Sequence, residues 1–242
     1  MDLLAKLKSS AGQVIPAAGD GVSFKQFSYT NAPAIFLAAS LVSQNLIAEE
    51  DEGLLSITEY AAFALQMNIK KRQTLILDLQ SGFGNPLNTY YAAQKLERNG
   101  GDILLLNDQT YPSHTTKSAQ ITSAADFVGK IRASLDSFED PATQLWVRLD
   151  GIHSYGVYGL LQRIQYAANA GAQAVVVNQT GLADWQELLQ QNPALPLLAS
   201  GQLPVKIAGI VGYLADTSFI HQSQKLQQER IDAIDWGSNL DA

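Results

Sequence analysis

Eight short apolar runs separated by stretches of helical periodicity constrain this chain more than any other feature. They fall at Gln13–Ala17, Ala34–Ala38, Thr74–Leu79, Asp102–Leu106, Leu145–Leu149, Gln173–Val177, Leu195–Leu198 and Ile207–Leu214. Ile103-Leu104-Leu105-Leu106 and Ala174-Val175-Val176-Val177 are apolar at every position, the pattern of strands covered on both faces. Between the runs lie helix signals. Ser56-Ile57-Thr58-Glu59 is a capping box, and Asn88 is placed to cap a helix that ends at Asn99-Gly100-Gly101. Phe127, Ile131 and Leu135 repeat every four residues behind a cap at Thr122 or Ser123, and a stripe from Leu160 to Ala168 ends at Gly171. Trp185, Leu188 and Leu189 share a face ahead of Pro193, and a polar helix is expected over about 216–231. Alternation of this kind predicts a (β/α)8 TIM barrel, a fold of about 250 residues. One domain spans 1–242, with a modified C-terminal end and a helical tail over about 216–242. A doubly wound open sheet is the alternative.

Composition narrows the function classes. Sixteen basic against 23 acidic residues give a net charge of −7, which argues against the clustered positive charge of a nucleic-acid footprint. No apolar run is long enough for a bilayer, so no membrane partner is expected. The stretch 1–10 lacks the apolar core of a secretory signal, and a cytoplasmic location is expected. With no cysteine, thiolate metal sites and cysteine nucleophiles are excluded.

In a barrel the chemistry sits at the C-terminal ends of the strands. Four apolar runs end in polar groups there: Leu77 is followed by Asp78 and then Gln80-Ser81, Leu106 by Asn107-Asp108, Val147 by Arg148 and then Asp150, and Val177 by Asn178. Carboxylates, amides and one arginine together suit a hard cation and an oxyanionic ligand. Ser81-Gly82-Phe83-Gly84-Asn85 follows a strand and opens a helix, where glycines let backbone amides approach an anion. Leu87 at the third glycine position argues against a dinucleotide fingerprint.

These segments carry a resemblance. Asp78-Leu79-Gln80-Ser81-Gly82-Phe83-Gly84-Asn85 resembles the Asp-x-Asp-Thr-Gly-Tyr-Gly-Asn motif of the isocitrate lyase/phosphoenolpyruvate mutase superfamily, in its phosphoenolpyruvate phosphonomutase-like branch. Pro16-Ala17-Ala18-Gly19-Asp20, Asp51-Glu52-Gly53-Leu54-Leu55-Ser56, Asn107-Asp108-Gln109 with Pro112, and Val147-Arg148-Leu149-Asp150 match further motifs in order, over residues 14–190. The resemblance implies a barrel that holds Mg²⁺ (or Mn²⁺) and a small anionic metabolite: a 2-oxo acid, phosphonate or hydroxy-diacid. It implies an enolate-type step of the C–C lyase or C–P mutase class. Asp78 would ligate the metal directly, Asp51 through water, and Gln80 stands at a third metal position. Arg148 would contact the substrate carboxylate or phosphonate, with Ser40, Gly82, Gly84, Asn107 and Asn178 as further substrate-binding candidates.

The chain departs from the pattern where the family concentrates charge. Gln80 and Asn107 replace two carboxylates, and Ala38-Ala39 align with the family's Ser-Gly, with Ser40 next in line. The loop after Pro112 reads Ser113-His114-Thr115-Thr116-Lys117, which excludes the cysteine-dependent isocitrate-type lyase and leaves His114 and Lys117 as catalytic candidates. The alternative to an enzyme is a non-catalytic barrel that binds a small anionic metabolite or regulates. Family members commonly assemble, so a homodimer or homotetramer is expected.

Overall fold

The computed structural model describes residues 2–10, 12–114, 120–178, 180–200, 207–214 and 218–234. Its strands are β1 (Gln13–Ile15), β2 (Ala17–Ala18), β3 (Ala34–Leu37), β4 (Thr74–Gln80), β5 (Ile103–Asn107), β6 (Gln144–Leu149), β7 (Ala174–Val177), β8 (Leu197–Ser200) and β9 (Gly212–Leu214). All pair in parallel, in the order β1-β9-β8-β7-β6-β5-β4-β3-β2. The expected first strand is divided at Pro16, which has no N–H to donate to a ladder. Its carbonyl still accepts from Phe36 N at 2.9 Å. Since β1 and β2 are halves of one stretch, the two ends of the strand order meet and the sheet closes into the expected barrel.

Side-chain parity separates two apolar layers. Phe36, Ile76, Leu105, Trp146, Val176 and Leu198 fill the barrel interior. Their neighbours Leu37, Leu77, Leu104, Val147, Val175 and Leu197 belong to the layer packed under the helices. This period of two follows from the pleat. Each polar strand end stays on the interior parity: Asp78 follows Ile76, Asn107 follows Leu105, Arg148 follows Trp146 and Asn178 follows Val176. Helix α1 (Leu3–Ser9) adds Leu3, Leu4 and Leu7 to the interior cluster. Asp2 at its start accepts from Gln144 at the start of β6, so α1 closes the end opposite the polar one.

Local sequence accounts for most helix boundaries. The helices α2 (Gly21–Ser28), α3 (Ala39–Ile47) and α4 (Ile57–Asn68) come first, with a 3₁₀ turn at Glu52–Leu54, and α4 carries the expected Ser56–Glu59 capping box. Asn85, not Asn88, caps α5 (Pro86–Arg98), because Pro86 fits the first helical position and Asn88 reciprocates the capping box as the third residue. Ser123 caps α6 (Ala124–Ser137), and Gly171, at φ 107°, ends α7 (Ile152–Ala170). The chain continues with α8 (Leu182–Gln190) and α9 (Ser218–Asp232). Two strand expectations shift: β8 begins at Leu197, and only Gly212–Leu214 of the last run is strand, since the run is interrupted by a turn with Gly209 at φ 96°. No helix among the described residues is long and apolar enough to cross a membrane.

Candidate active site

Arg148 is the hub of the polar barrel mouth. Its Nε lies 3.1 Å from Asp150 Oδ2, its Nη2 3.2 Å from Glu52 Oε1 and its Nη1 3.7 Å from Asp78 Oδ2. Burial alone would lower its pKa, but the charges of Asp150, Glu52 and Asp78 together hold it above the ordinary guanidinium value. Asn107 donates to Glu52 Oε1 at 3.1 Å and accepts from Gln109 N at 3.1 Å. Asn178 donates to Asp150 Oδ1 at 3.0 Å, and Gln109 to Asp150 Oδ2 at 2.8 Å. The structure therefore brings together Asp78, Asn107, Arg148 and Asn178 among the sequence candidates.

Asp78 is fully enclosed. Its Oδ1 accepts from Gln80 N at 2.9 Å and its Oδ2 from Ala39 N at 3.3 Å. The second contact explains how α3 starts on Ala38, which has no capping side chain: Asp78 takes an orphan amide at the helix N-terminus. Beneath it, the Tyr60 hydroxyl donates to Leu37 O at 2.5 Å and accepts from Asp78 N at 2.8 Å. Burial, and then the Glu52 charge, push the Asp78 carboxyl up to about 7, against the pull of Arg148 and the two amides. Ser40 is buried one residue beyond the amide that Asp78 holds.

Asp51 and His114 form a second pair, with His114 Nδ1 2.7 Å from Asp51 Oδ2. Gly53 makes this approach possible, because a Cβ there would lie 2.4 Å from Ser113 O and 2.7 Å from Pro112 Cβ. The His114 N–H donates to Gln109 Oε1 at 2.9 Å. A continuous path thus runs from His114 through Gln109 and Asp150 to Arg148 and Glu52, the chain neighbour of Asp51. Lys117 lies outside the described residues.

The glycine turn has a different setting. Gly82 and Gly84 have φ of +86° and +140°, and a Cβ on them would meet Thr89 Oγ1 at 2.2 Å and Asn88 Oδ1 at 2.6 Å. Thr89 Oγ1 donates to Gly82 O at 3.0 Å, and Asn85 accepts from Leu87 N and Asn88 N. Close packing of the strand-to-helix turn on α5 leaves no room for a Cβ at either glycine. Gln80 is buried at φ 50°, next to a register shift in β4, and both of its amide atoms lack a partner among the described residues.

The sequence placed Asp150 among the polar strand ends without an individual role, and assigned none to Glu52, Gln109 or Tyr60. Parity pointed to Asp150, two residues beyond Arg148. Glu52 gave no such signal, because it lies on a 3₁₀ turn whose periodicity is too short to read. Behind the site, Asp108 accepts from Asp150 N at 2.9 Å and from Tyr155 OH at 2.9 Å, with Arg163 Nη1 at 3.4 Å. Burial, and then the charge of Asp150, push Asp108 up to about 6.

The carboxylates around Arg148 do not compose a hard-cation centre. Among the described residues no group of three or more His, Asp or Glu side chains could hold a metal ion. Mg²⁺ takes one or two carboxylates and completes its octahedron with water and ligand oxygens. Here the oxygens of Asp78 and Asp150 already meet N–H donors, and so does Glu52 Oε1, whereas Asp51 Oδ1 and Gln80 Oε1 are buried without a hydrogen-bond partner among the described residues. Asn107 turns its N–H₂, not its oxygen, toward Glu52.

The sequence model of the phosphoenolpyruvate phosphomutase family matches residues 4–231. The chain belongs to the phosphoenolpyruvate mutase family. Oxaloacetate decarboxylase of Pseudomonas fluorescens strain Pf-5 is 31% identical over 166 residues, which cover 67% of this chain and 56% of that protein. The match thus spans little more than half of that relative's length. Among solved structures, phosphoenolpyruvate phosphomutase from Streptomyces platensis subsp. rosaceus superimposes with a TM-score of 0.84 at 19% identity, covering 96% of this chain and 86% of the other. Phosphonopyruvate hydrolase in complex with oxalate and Mg²⁺ gives 0.80 at 18% identity, covering 96% and 87%. At such identities the superpositions establish the family's barrel fold.

Proposed function

We propose that this member of the phosphoenolpyruvate mutase family acts on a small 2-oxo acid, phosphonate or hydroxy-diacid through an enolate-type step, with oxaloacetate as the first substrate to test. The observation that carries the reading is Arg148, held by three carboxylates at the mouth of the barrel next to the Asp51–His114 pair. A guanidinium fork suits a carboxylate or phosphonate, and a positive charge fixed in a buried site stabilises an enolate oxygen as it forms. In a decarboxylation the bond to the departing carboxylate breaks, its electron pair moves to the keto oxygen, and the enolate carbon then takes a proton. With Nδ1 turned to Asp51, His114 keeps Nε2 for that proton, and Lys117 is the second candidate for it. Ser40, Gly82, Gly84 and Asn178 complete the proposed substrate surround, and no step is assigned to Mg²⁺ or Mn²⁺.

Pure protein incubated with oxaloacetate, phosphonopyruvate and 2-methylisocitrate, with and without Mg²⁺ or Mn²⁺, tests this. Turnover of one of them that is lost in Asp78→Ala is expected. No turnover of any, with Asp78→Ala binding and behaving as wild type does, contradicts it. A second reading, a non-catalytic barrel for a small anion, is favoured by Gln80 and Asn107, and calorimetric binding of oxalate without turnover would select it. Assembly as a homodimer or homotetramer belongs to the same proposal. Light scattering with and without the residues after 216 checks it.

A further inference from the structure

The three nitrogens of Arg148 face three carboxylates from three parts of the fold: Asp150 just beyond β6, Glu52 on the 3₁₀ turn and Asp78 on β4. We infer that the Arg148 guanidinium takes the charge-neutralising place a divalent cation would hold, so that this chain binds no Mg²⁺ or Mn²⁺ tightly at the barrel mouth. The inference deepens the enolate reading and rests on it for its chemistry, but its test is read without turnover.

The argument is one of crowding and charge. Asp78 Oδ1 and Oδ2 point at the amides of Gln80 and Ala39. Asp150 is held on both oxygens, by Asn178 on one and by Gln109 together with Arg148 on the other. Glu52 Oε1 receives Asn107 and Arg148. Asp51 Oδ2 is committed to His114, while Asp51 Oδ1 and Gln80 Oε1 are buried without a hydrogen-bond partner among the described residues, so the crowding is that of the carboxylates around Arg148. Each N–H already seated takes one of the two lone pairs of its oxygen and narrows the directions left to a metal. A dication on Asp78 would also stand beside a permanent positive charge, in a setting where screening is weak.

Gln80 and Asn107 agree with this arrangement. An amide at Asn107 can donate to Glu52 as it does at 3.1 Å, whereas a carboxylate there would face Glu52 with like charge. Glu52, just 1% exposed, restores one of the two lost negative charges and is paired to the arginine.

Electron paramagnetic resonance of Mn²⁺, whose free-ion signal falls on binding, tests the inference on wild type and Arg148→Gln, with circular dichroism to verify folding. The wild type is expected to leave the free Mn²⁺ signal unchanged. Arg148→Gln, with no cationic side chain left among the three carboxylates, is expected to take up about one equivalent. Uptake of one equivalent by the wild type, released by Asp78→Asn, overturns the inference, and so does a folded Arg148→Gln that binds none. The wild-type measurement decides alone if Arg148→Gln does not fold. A wild type that binds no Mn²⁺ and turns over none of the substrates supports the inference and counts against the enolate reading alone.

Discussion

Replacing Asp150 with asparagine removes one charge from the hub and keeps its shape. Asp150 accepts on both sides, from Gln109 at 2.8 Å and Arg148 at 3.1 Å on Oδ2 and from Asn178 at 3.0 Å on Oδ1. Asparagine has one oxygen and one N–H₂, so one side of the group turns from acceptor to donor and meets another donor. Breaking a buried pair costs about 3–5 kcal/mol. Arg148 keeps Glu52 and Asp78, which places the loss at the lower end, about 3 kcal/mol. For a domain of this size that lowers Tm by about 6–12 °C. Urea unfolding followed by circular dichroism measures the loss. Carbon-13 NMR of the carboxyl groups supplies a second readout: Asp108, held up to about 6 by burial and then by Asp150, should titrate lower in Asp150→Asn. A loss under about 1 kcal/mol with Asp108 titrating unchanged would refute the pairing of Asp150 with Arg148.

Three further outcomes are expected. Tyr60→Phe keeps the buried ring and removes two hydroxyl bonds beneath Asp78, costing about 1–3 kcal/mol in urea unfolding. Asp108 titrates above the ordinary 3.8 in the folded chain, so the native state binds the extra proton and this group adds stability as pH falls through 6. Relative to Asp108→Asn, the wild type should therefore gain about 3 kcal/mol between about pH 7 and pH 4. Gly82→Ala combines a φ of +86° with a Cβ 2.2 Å from Thr89 Oγ1 and should cost about 2–4 kcal/mol. Thr89→Ala in the same chain should recover the steric part.

The barrel was legible because strands covered on both faces leave a dense apolar record, and because parity carries each run onto one face of the closed sheet. Trp146 predicts the facing of Arg148, and Val176 that of Asn178. Breaks in that periodicity were hidden. The split at Pro16 became visible only from the partners of β1 and β2, and Asn85 and Asn88 compete as caps until Pro86 is placed at the first helical position. At the site, Asp78 and Arg148 stood at strand ends, where polar residues stop apolar runs. Glu52 and Gln109 act through contacts 96 and 41 residues away in sequence, and no local pattern encodes such distances. The Asp51–His114 pair likewise depends on Gly53 admitting a loop from 60 residues further along the chain, an approach that is steric and three-dimensional.

The most direct test is the formation of pyruvate from oxaloacetate with a metal chelator present, compared between wild type and folded Arg148→Gln. Turnover above the uncatalysed rate that survives chelation and falls by about 10²-fold in Arg148→Gln is the predicted result. An Arg148→Gln protein as fast as wild type, or no turnover by either, would contradict the account.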